Sequence, residues 1–276
     1  MNKNLCVIQA RMSSTRLPGK VLKEINRKPL LQYEIERLRL AKKLDQIVVA
    51  TSASKESDEI EKFCERIGVP CFRGSEEDVL NRYYECAKKY PGYDAIVRVT
   101  GDCPLIDPRV VDEVVNLFEE GGYDYASNVL EETFPDGMDV EVLKRDALKT
   151  SQQEAKMQSE REHVTLYVRG QEKFKKGNLC APRDYSAFRL TVDNPEDFAV
   201  AKFLIESLPP TMSYLDCVEL LEAHPEIKKL NMNIKRNEGL AKSLKEDRLF
   251  KSTYSQPHPH PLRFRRGRKG EVRDKK

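Results

Sequence analysis

Ten residues, Arg11-Met-Ser-Ser-Thr-Arg16-Leu-Pro-Gly-Lys20, bring three cations, three hydroxyls and a glycine together directly after an apolar stretch. That set suits a polyphosphate. A triphosphate carries about four negative charges and needs converging cations and donors. Arginine's planar fork donates two parallel hydrogen bonds to phosphate, and Gly19 lets the backbone approach a ligand closely. The loop is neither G-x-x-x-x-G-K-[ST] nor G-x-G-x-x-G. The competing reading is a basic, solvated surface loop. The position at the end of a first strand weighs against it.

Two acids complete the set. Asp102 follows a candidate strand and a Thr-Gly turn, and Asp193 ends another candidate strand just before Asn194-Pro195. One carboxylate from each of two strand ends can hold a hard Mg²⁺ and leave room for phosphate oxygens and water. Against this, Asp102 could be a turn or cap aspartate, and Asp-Asn-Pro-Glu-Asp is a good helix start. Asp107 reads as the cap of a helix beginning at Pro108.

These side chains need a scaffold, and the pattern supplies one. Apolar stretches 4–10, 46–50, 69–73 and 94–100 read as strands. Between and after them, 30–41, 57–67, 77–90 and 108–120 carry apolar residues at helical spacing. Such alternation argues for an open, mostly parallel sheet covered by helices on both faces, an α/β fold. Right-handed crossovers then bring the loops after the strands to one edge, where ligands bind. Beyond Gly121 the pattern loosens. Residues 123–128, 139–143 and 188–192 read as strands, and 144–154, 160–169, 195–208 and 214–223 as helices. Residues 1–240 form one domain in this reading, with a disordered basic tail over 241–276.

Composition narrows the classes. With 39% hydrophobic and 34% charged residues in 276, the chain suits a soluble globular protein. No apolar run approaches the roughly 20 residues that cross a bilayer. The net charge of +3 is misleading, because residues 263–276 alone carry eight Lys/Arg and two Asp/Glu and the rest of the chain is negative. No nucleic-acid partner is expected from it. The tail run reads as solvated, and His258 and His260 in a proline-rich stretch as no metal site. Seven scattered cysteines, never in a C-x-x-C pair, argue against disulfides and thiolate metal sites and for the cytoplasm.

The segment from Arg11 to Lys20 resembles the R-x-x-S-x-R-L-P-G-K signature of sugar-activating cytidylyltransferases. These include the enzymes that make CMP-linked 3-deoxy-manno-octulosonate and sialic acids. The subgroup tied to spore coat polysaccharide biosynthesis is the most similar. Further matching phrases are Val48-Val49-Ala50-Thr51, Phe72-Arg73-Gly74-Ser75, Val99-Thr100-Gly101-Asp102-Cys103-Pro104-Leu105, Glu162-His163-Val164-Thr165 and Leu190-Thr191-Val192-Asp193. The resemblance implies a nucleotide-diphospho-sugar transferase type of sheet and a homodimer. It also implies transfer of CMP from CTP to a sugar or sugar-like acid, with pyrophosphate released. The nucleotide would lie against Ala10, Arg11, Ser14, Arg16, Lys20, Thr51, Arg73, Thr100 and Gly101. Mg²⁺ would sit on Asp102 and Asp193. Arg16, Lys20 and Asp102 would be catalytic.

The acceptor side is read more openly. Glu141 and His163 are expected to face a small acidic or sugar acceptor, with Asp136 nearby. His163 could also be a helical histidine satisfied by its neighbours. Arg82 reads as a salt-bridging surface residue, and Tyr83 and Tyr84 as packing. A glycosyltransferase on the same kind of sheet is the alternative, disfavoured because no Asp-x-Asp motif is present. A nucleotide-binding protein without turnover is the other.

Overall fold

In the computed structural model, residues 3–254 are described, with side chains to residue 249. The parallel core consists of β1 (Asn4–Gln9), β4 (Gln46–Ser52), β5 (Cys71–Gly74) and β6 (Ala95–Thr100). A two-stranded hairpin, β2 (Glu24–Ile25) and β3 (Lys28–Pro29), precedes α1 (Leu30–Leu38). Helices α2 (Asp58–Arg66), α3 (Val79–Lys89) and α4 (Pro108–Gly121) follow β4, β5 and β6. The seven-stranded sheet runs β5-β4-β1-β6-β8-β7-β9, where β7 is Tyr125–Ser127, β8 Glu141–Lys144 and β9 Lys176–Asn178. Strand β8 runs antiparallel to both its neighbours.

Strand β1 is buried almost throughout because helices cover both faces of the sheet. Its side chains alternate between two cores. Cys6 and Ile8 pack with α1, α2 and α4, while Leu5 and Val7 pack with α3. Tyr83 belongs to the second core and donates its hydroxyl to the carbonyls of Val7 and Val99, both at 3.2 Å. Helix α4 begins where expected. Asp107 caps it through the backbone N–H of Arg109, Pro108 occupies its first turn, and Gly122 ends it in the left-handed region.

The second half departs from the sequence pattern in three places. Residues 188–192 form no strand and make only a bridge between Arg189 and Asp136. The N–H groups of Leu190 and Thr191 both donate to the Asp136 carbonyl instead of a ladder partner. The helix expected over 160–169 is broken into α6 (Gln158–Glu162) and α7 (Leu166–Gly170), because Val164 has φ +60° and cannot continue a right-handed helix. The short polar strand β9 carries too little apolar pattern to be read. Helices α5 (Arg145–Glu154), α8 (Pro195–Ser207), α9 (Tyr214–Ala223) and α10 (Pro225–Lys228) complete the body. The opening part of the expected tail is helical, α11 (Glu238–Tyr254). The histidines at 258 and 260 and the basic run over 263–276 lie outside the described residues. No helix among the described residues is long and apolar enough to cross a membrane.

Candidate active site

Strand order reverses between β1 and β6. β1 leads to β4 on one side, while β6 lies on the other. A crevice at the carboxyl ends of the strands forms at such a switch point. The loop after β1 and the loop after β6 meet there. Gly101 donates its N–H to the Gln9 carbonyl at 2.8 Å. A Cβ at position 101 would stand 3.1 Å from that oxygen, so glycine allows the close approach. Two contiguous cavities, about 260 and 600 Å³, share Arg11, Arg16, Thr100, Asp102 and Asp193 in their walls.

At the join lies a charge cluster. Gly19, in the left-handed region at φ +65°, starts a short 3₁₀ turn that carries Lys20 inward. Lys20 is 8% exposed. Its Nζ donates to Asp102 Oδ2 at 2.6 Å and to Asp193 Oδ1 at 2.7 Å. Arg16 also reaches Asp193, at 2.8 Å. Burial alone would raise the Asp102 carboxyl, but the Lys20 ammonium outweighs it and holds the group down at about 2. Burial likewise works against the ammonium, and the two carboxylates outweigh it, so Lys20 holds its proton more tightly than usual.

Asp102 and Asp193 are far apart in the chain, and the segment between them is stitched into place. The Val192 N–H donates to the Asp102 carbonyl at 2.8 Å, and Thr191 Oγ1 donates to the same oxygen at 3.2 Å. Arg189, 6% exposed, holds Asp193 at 2.9 Å and Asp197 at 2.8 Å and also pairs with Asp136. Asp197 in turn accepts the N–H groups of Asp193 and Asn194, which starts α8 and leaves the Asp193 carboxylate pointing to Lys20 and Arg16.

Gly137 makes this possible. Its φ is +104°, and a Cβ there would lie 2.5 Å from the Thr191 nitrogen. Gly137→Ala is therefore expected to destabilise the fold by roughly 1–3 kcal/mol from backbone strain alone. It should also displace Asp193 and cut turnover. A denaturation midpoint equal to the parent's would refute that account.

The far side of the cleft is built on β6 and β8. Register pairs Arg98 with Glu141, and their side chains form an ion pair. Glu141 also accepts the hydroxyls of Tyr125 and Thr165, both at 2.6 Å. Burial would raise the Glu141 carboxyl, yet Arg98 and Arg169 outweigh it and keep it below its usual range. His163 is depressed, mainly by burial, so its imidazole is neutral near pH 7. Its Nε2 lies 3.0 Å from Ser243 Oγ, a hydroxyl that also lies 2.8 Å from Glu162 and 3.1 Å from the Gly239 carbonyl. Asp136 is pushed up to about 7 by burial and the facing Asp139 charge, against the pull of Arg236 and Arg189.

Most of the residues expected from sequence meet in this cleft. Arg11, Ser14, Arg16, Lys20, Thr100, Gly101, Asp102 and Asp193 line the end beside the loop after β1, and Glu141 and His163 the other end. Ala10 and Thr51 are buried at the ends of β1 and β4 and line neither cavity. Arg73 is not brought to the cleft. It pairs with Asp58 and Glu61 of α2 and donates to the carbonyls of Ser52 and Ser54.

The expectation for Arg82 is corrected. It is fully buried, with no hydrogen-bond partner on any guanidinium nitrogen. Burial lowers its proton affinity, and the nearby Arg11 adds to that.

Sequence reasoning missed Arg98, Arg169 and Arg189, and with them Lys235, residues 237–240, Lys242, Ser243 and Glu246, all of which enter the walls of the cleft. Arg98 had a visible signal, a lone cation inside an apolar strand. It also missed Glu34, buried on α1, which accepts the Cys103 N–H at 3.3 Å beneath the Asp102 turn.

A family model described as cytidylyltransferase matches residues 5–235. The spore coat polysaccharide biosynthesis protein SpsF of Bacillus subtilis (strain 168) is 36% identical over 236 residues, 82% of this chain and 97% of that protein. The structure of a cytidylyltransferase from Leptospira borgpetersenii serovar Hardjo-bovis (strain JB197) is similar, with a TM-score of 0.79 at 37% identity. That likeness covers 86% of this chain and 99% of that one. An 8-amino-3,8-dideoxy-manno-octulosonate cytidylyltransferase of Shewanella sp. (strain W3-18-1) is 38% identical over 119 residues, 42% of this chain and 47% of that enzyme.

Proposed function

Because this chain belongs to the cytidylyltransferase family, we propose that its cleft binds CTP and transfers CMP to a small sugar acid for a surface polysaccharide. The observation that carries the reading is Lys20 lying between Asp102 and Asp193 on the rim of the cationic loop. Two carboxylates from segments far apart in the chain converge on one point that already accepts a positive charge. Among the described residues no group of three or more His, Cys, Asp or Glu side chains is placed to hold a metal ion. A pair of carboxylates that already shares one cation fits a hard metal ion whose other ligands come from phosphate and water. Asp102 and Asp193 would hold Mg²⁺, which neutralises charge at the α-phosphate.

The chain's own residues do the rest. Arg11, Ser14, Arg16 and Lys20 bind the triphosphate and carry the charge of the departing pyrophosphate. The acceptor hydroxyl oxygen forms a bond to the α-phosphorus, the bond to the β-phosphate oxygen breaks, and the hydroxyl proton is released. His163, a neutral imidazole lining this end of the cleft, would take that proton. Arg169, which lines the acceptor end and donates to the Val129 carbonyl at 3.3 Å, supplies a cation for the acid's carboxylate. In the same reading the enzyme is a cytoplasmic homodimer, which light scattering checks.

A thermal-shift panel of nucleoside triphosphates with Mg²⁺, followed by pyrophosphate release with candidate acceptors, tests the whole reading. CTP binding with acceptor-dependent release supports it. UDP-sugar hydrolysis would instead indicate a glycosyltransferase, and CTP binding that never leads to release would indicate a protein without turnover.

A further inference from the structure

We propose that the N-terminal end of α11 is an anionic latch on the triphosphate loop, and that a bound polyphosphate displaces it. The inference rests on the reading of residues 11–20 as a polyphosphate site. It concerns a segment that lies almost wholly beyond the part of the chain the family model matches.

Arg16 holds two carboxylates, Asp193 at 2.8 Å and Glu238 at 2.9 Å. Asp193 belongs to the cluster at the floor of the cleft. Glu238 comes from the first residue of α11, which lies over it. Glu238, Gly239, Lys242, Ser243 and Glu246 fall on one stripe of the helix at spacings of three and four. All five line the cavity whose opposite wall is Ser13, Ser14 and Thr15. The helix therefore forms the second wall of the groove a triphosphate would enter.

The two ends of this wall are held differently. Asp247, 8% exposed, accepts the backbone N–H of Ser159 at 3.3 Å and also its hydroxyl. The other end follows Asn237, which is in the left-handed region at φ +60° and reaches Glu132 through its side chain. Glu238 there touches Arg16 in an ion pair whose two sides are 36% and 46% exposed. An exposed pair of this kind is weak. A ligand with about four negative charges attracts Arg16 more strongly than one carboxylate does, and it repels Glu238. The exchange frees the start of α11 while Asp247 keeps its far end in place. Ser243 lies between the two ends, so the same movement loosens its contacts with His163 and Glu162. Filling the phosphate end thus uncovers the acceptor end.

The test uses the full chain and inorganic tripolyphosphate, with CTP in parallel, by titration calorimetry. Glu238→Gln removes the charge and keeps the shape. It is expected to tighten tripolyphosphate binding roughly two- to tenfold, the scale of one exposed ion pair plus a relieved repulsion. Glu246→Gln removes a charge from the same stripe that touches no loop cation and is expected to tighten it much less. Hydrogen–deuterium exchange of residues 239–243 should become faster when tripolyphosphate is added. Equal tightening by both variants, no tightening by either, or slower exchange on binding overturns the latch. If Glu238→Gln tightens tripolyphosphate and CTP binds no better than other triphosphates, the latch stands and the cytidine reading falls.

Discussion

Asp102→Asn is expected to reduce kcat for pyrophosphate release roughly 10²- to 10³-fold while leaving the fold intact, the scale seen when one transition-state electrostatic contact is removed. The substitution keeps the shape of the side chain and deletes its charge. Lys20 would keep only Asp193 as an anionic partner, and the pair that fits a hard cation would have one charge left. The same change has a stability signature. The Asp102 carboxyl is held at about 2 in the folded chain, below its unfolded value near 3.8. Its ionised form therefore stabilises the fold above pH 4, and that stabilisation, on the order of 2 kcal/mol, is lost as the pH falls from 4 towards 2. The Asn variant should lack this component. Circular dichroism checks the fold, acid titration the stability and a pyrophosphate assay the turnover. Parent-like kcat in a folded variant would exclude Asp102 from the metal pair.

Lys20→Met should move two quantities in opposite directions. The apolar stem of Lys20 is preserved, so its packing beside Val21 and the loop is kept. Without the ammonium, kcat/KM for CTP should fall roughly 10²-fold, because in the proposed reaction a buried cation would neutralise developing charge. In the free protein, however, Lys20 shares both acids that the metal would use. Removing it leaves Asp102 and Asp193 facing each other across the same point. Mn²⁺ binding in the absence of nucleotide should then tighten by roughly tenfold or more, the scale of a charge-assisted hydrogen bond. Calorimetry reads it directly. Loss of activity together with weaker Mn²⁺ binding would mean that Lys20 only holds the cleft in shape.

Much of this site was legible in residue order because its parts are local. The cations of the loop after β1, the glycine that turns it and the aspartate after β6 lie next to apolar runs that read as strands and form β1 and β6. The cap at Asp107 and the start of α8 were equally local, set by an aspartate or asparagine before a proline. Arg73 and Arg82 show where such reading stops. They lie nine residues apart, and sequence favoured the first as a ligand residue and the second as a surface one. The structure puts Arg73 against two acids of α2 and buries Arg82 without a partner. What Arg73 on β5 and Arg82 on α3 each meet depends on the elements packed against them, which residue order does not show.

By itself, the sequence determined the alternation of strand and helix and the clustering of cations on one loop, since periodic burial and short-range charge need no knowledge of distant residues. Tertiary structure decided the rest. It replaced the strand at 188–192 with a bridge, broke the helix at Val164, and laid α11 across the cleft. It also seated Lys20 between acids 82 and 173 residues away. Ion pairs and close backbone approaches form between surfaces rather than along the chain, so their partners exist only once the sheet order has brought the strand ends together.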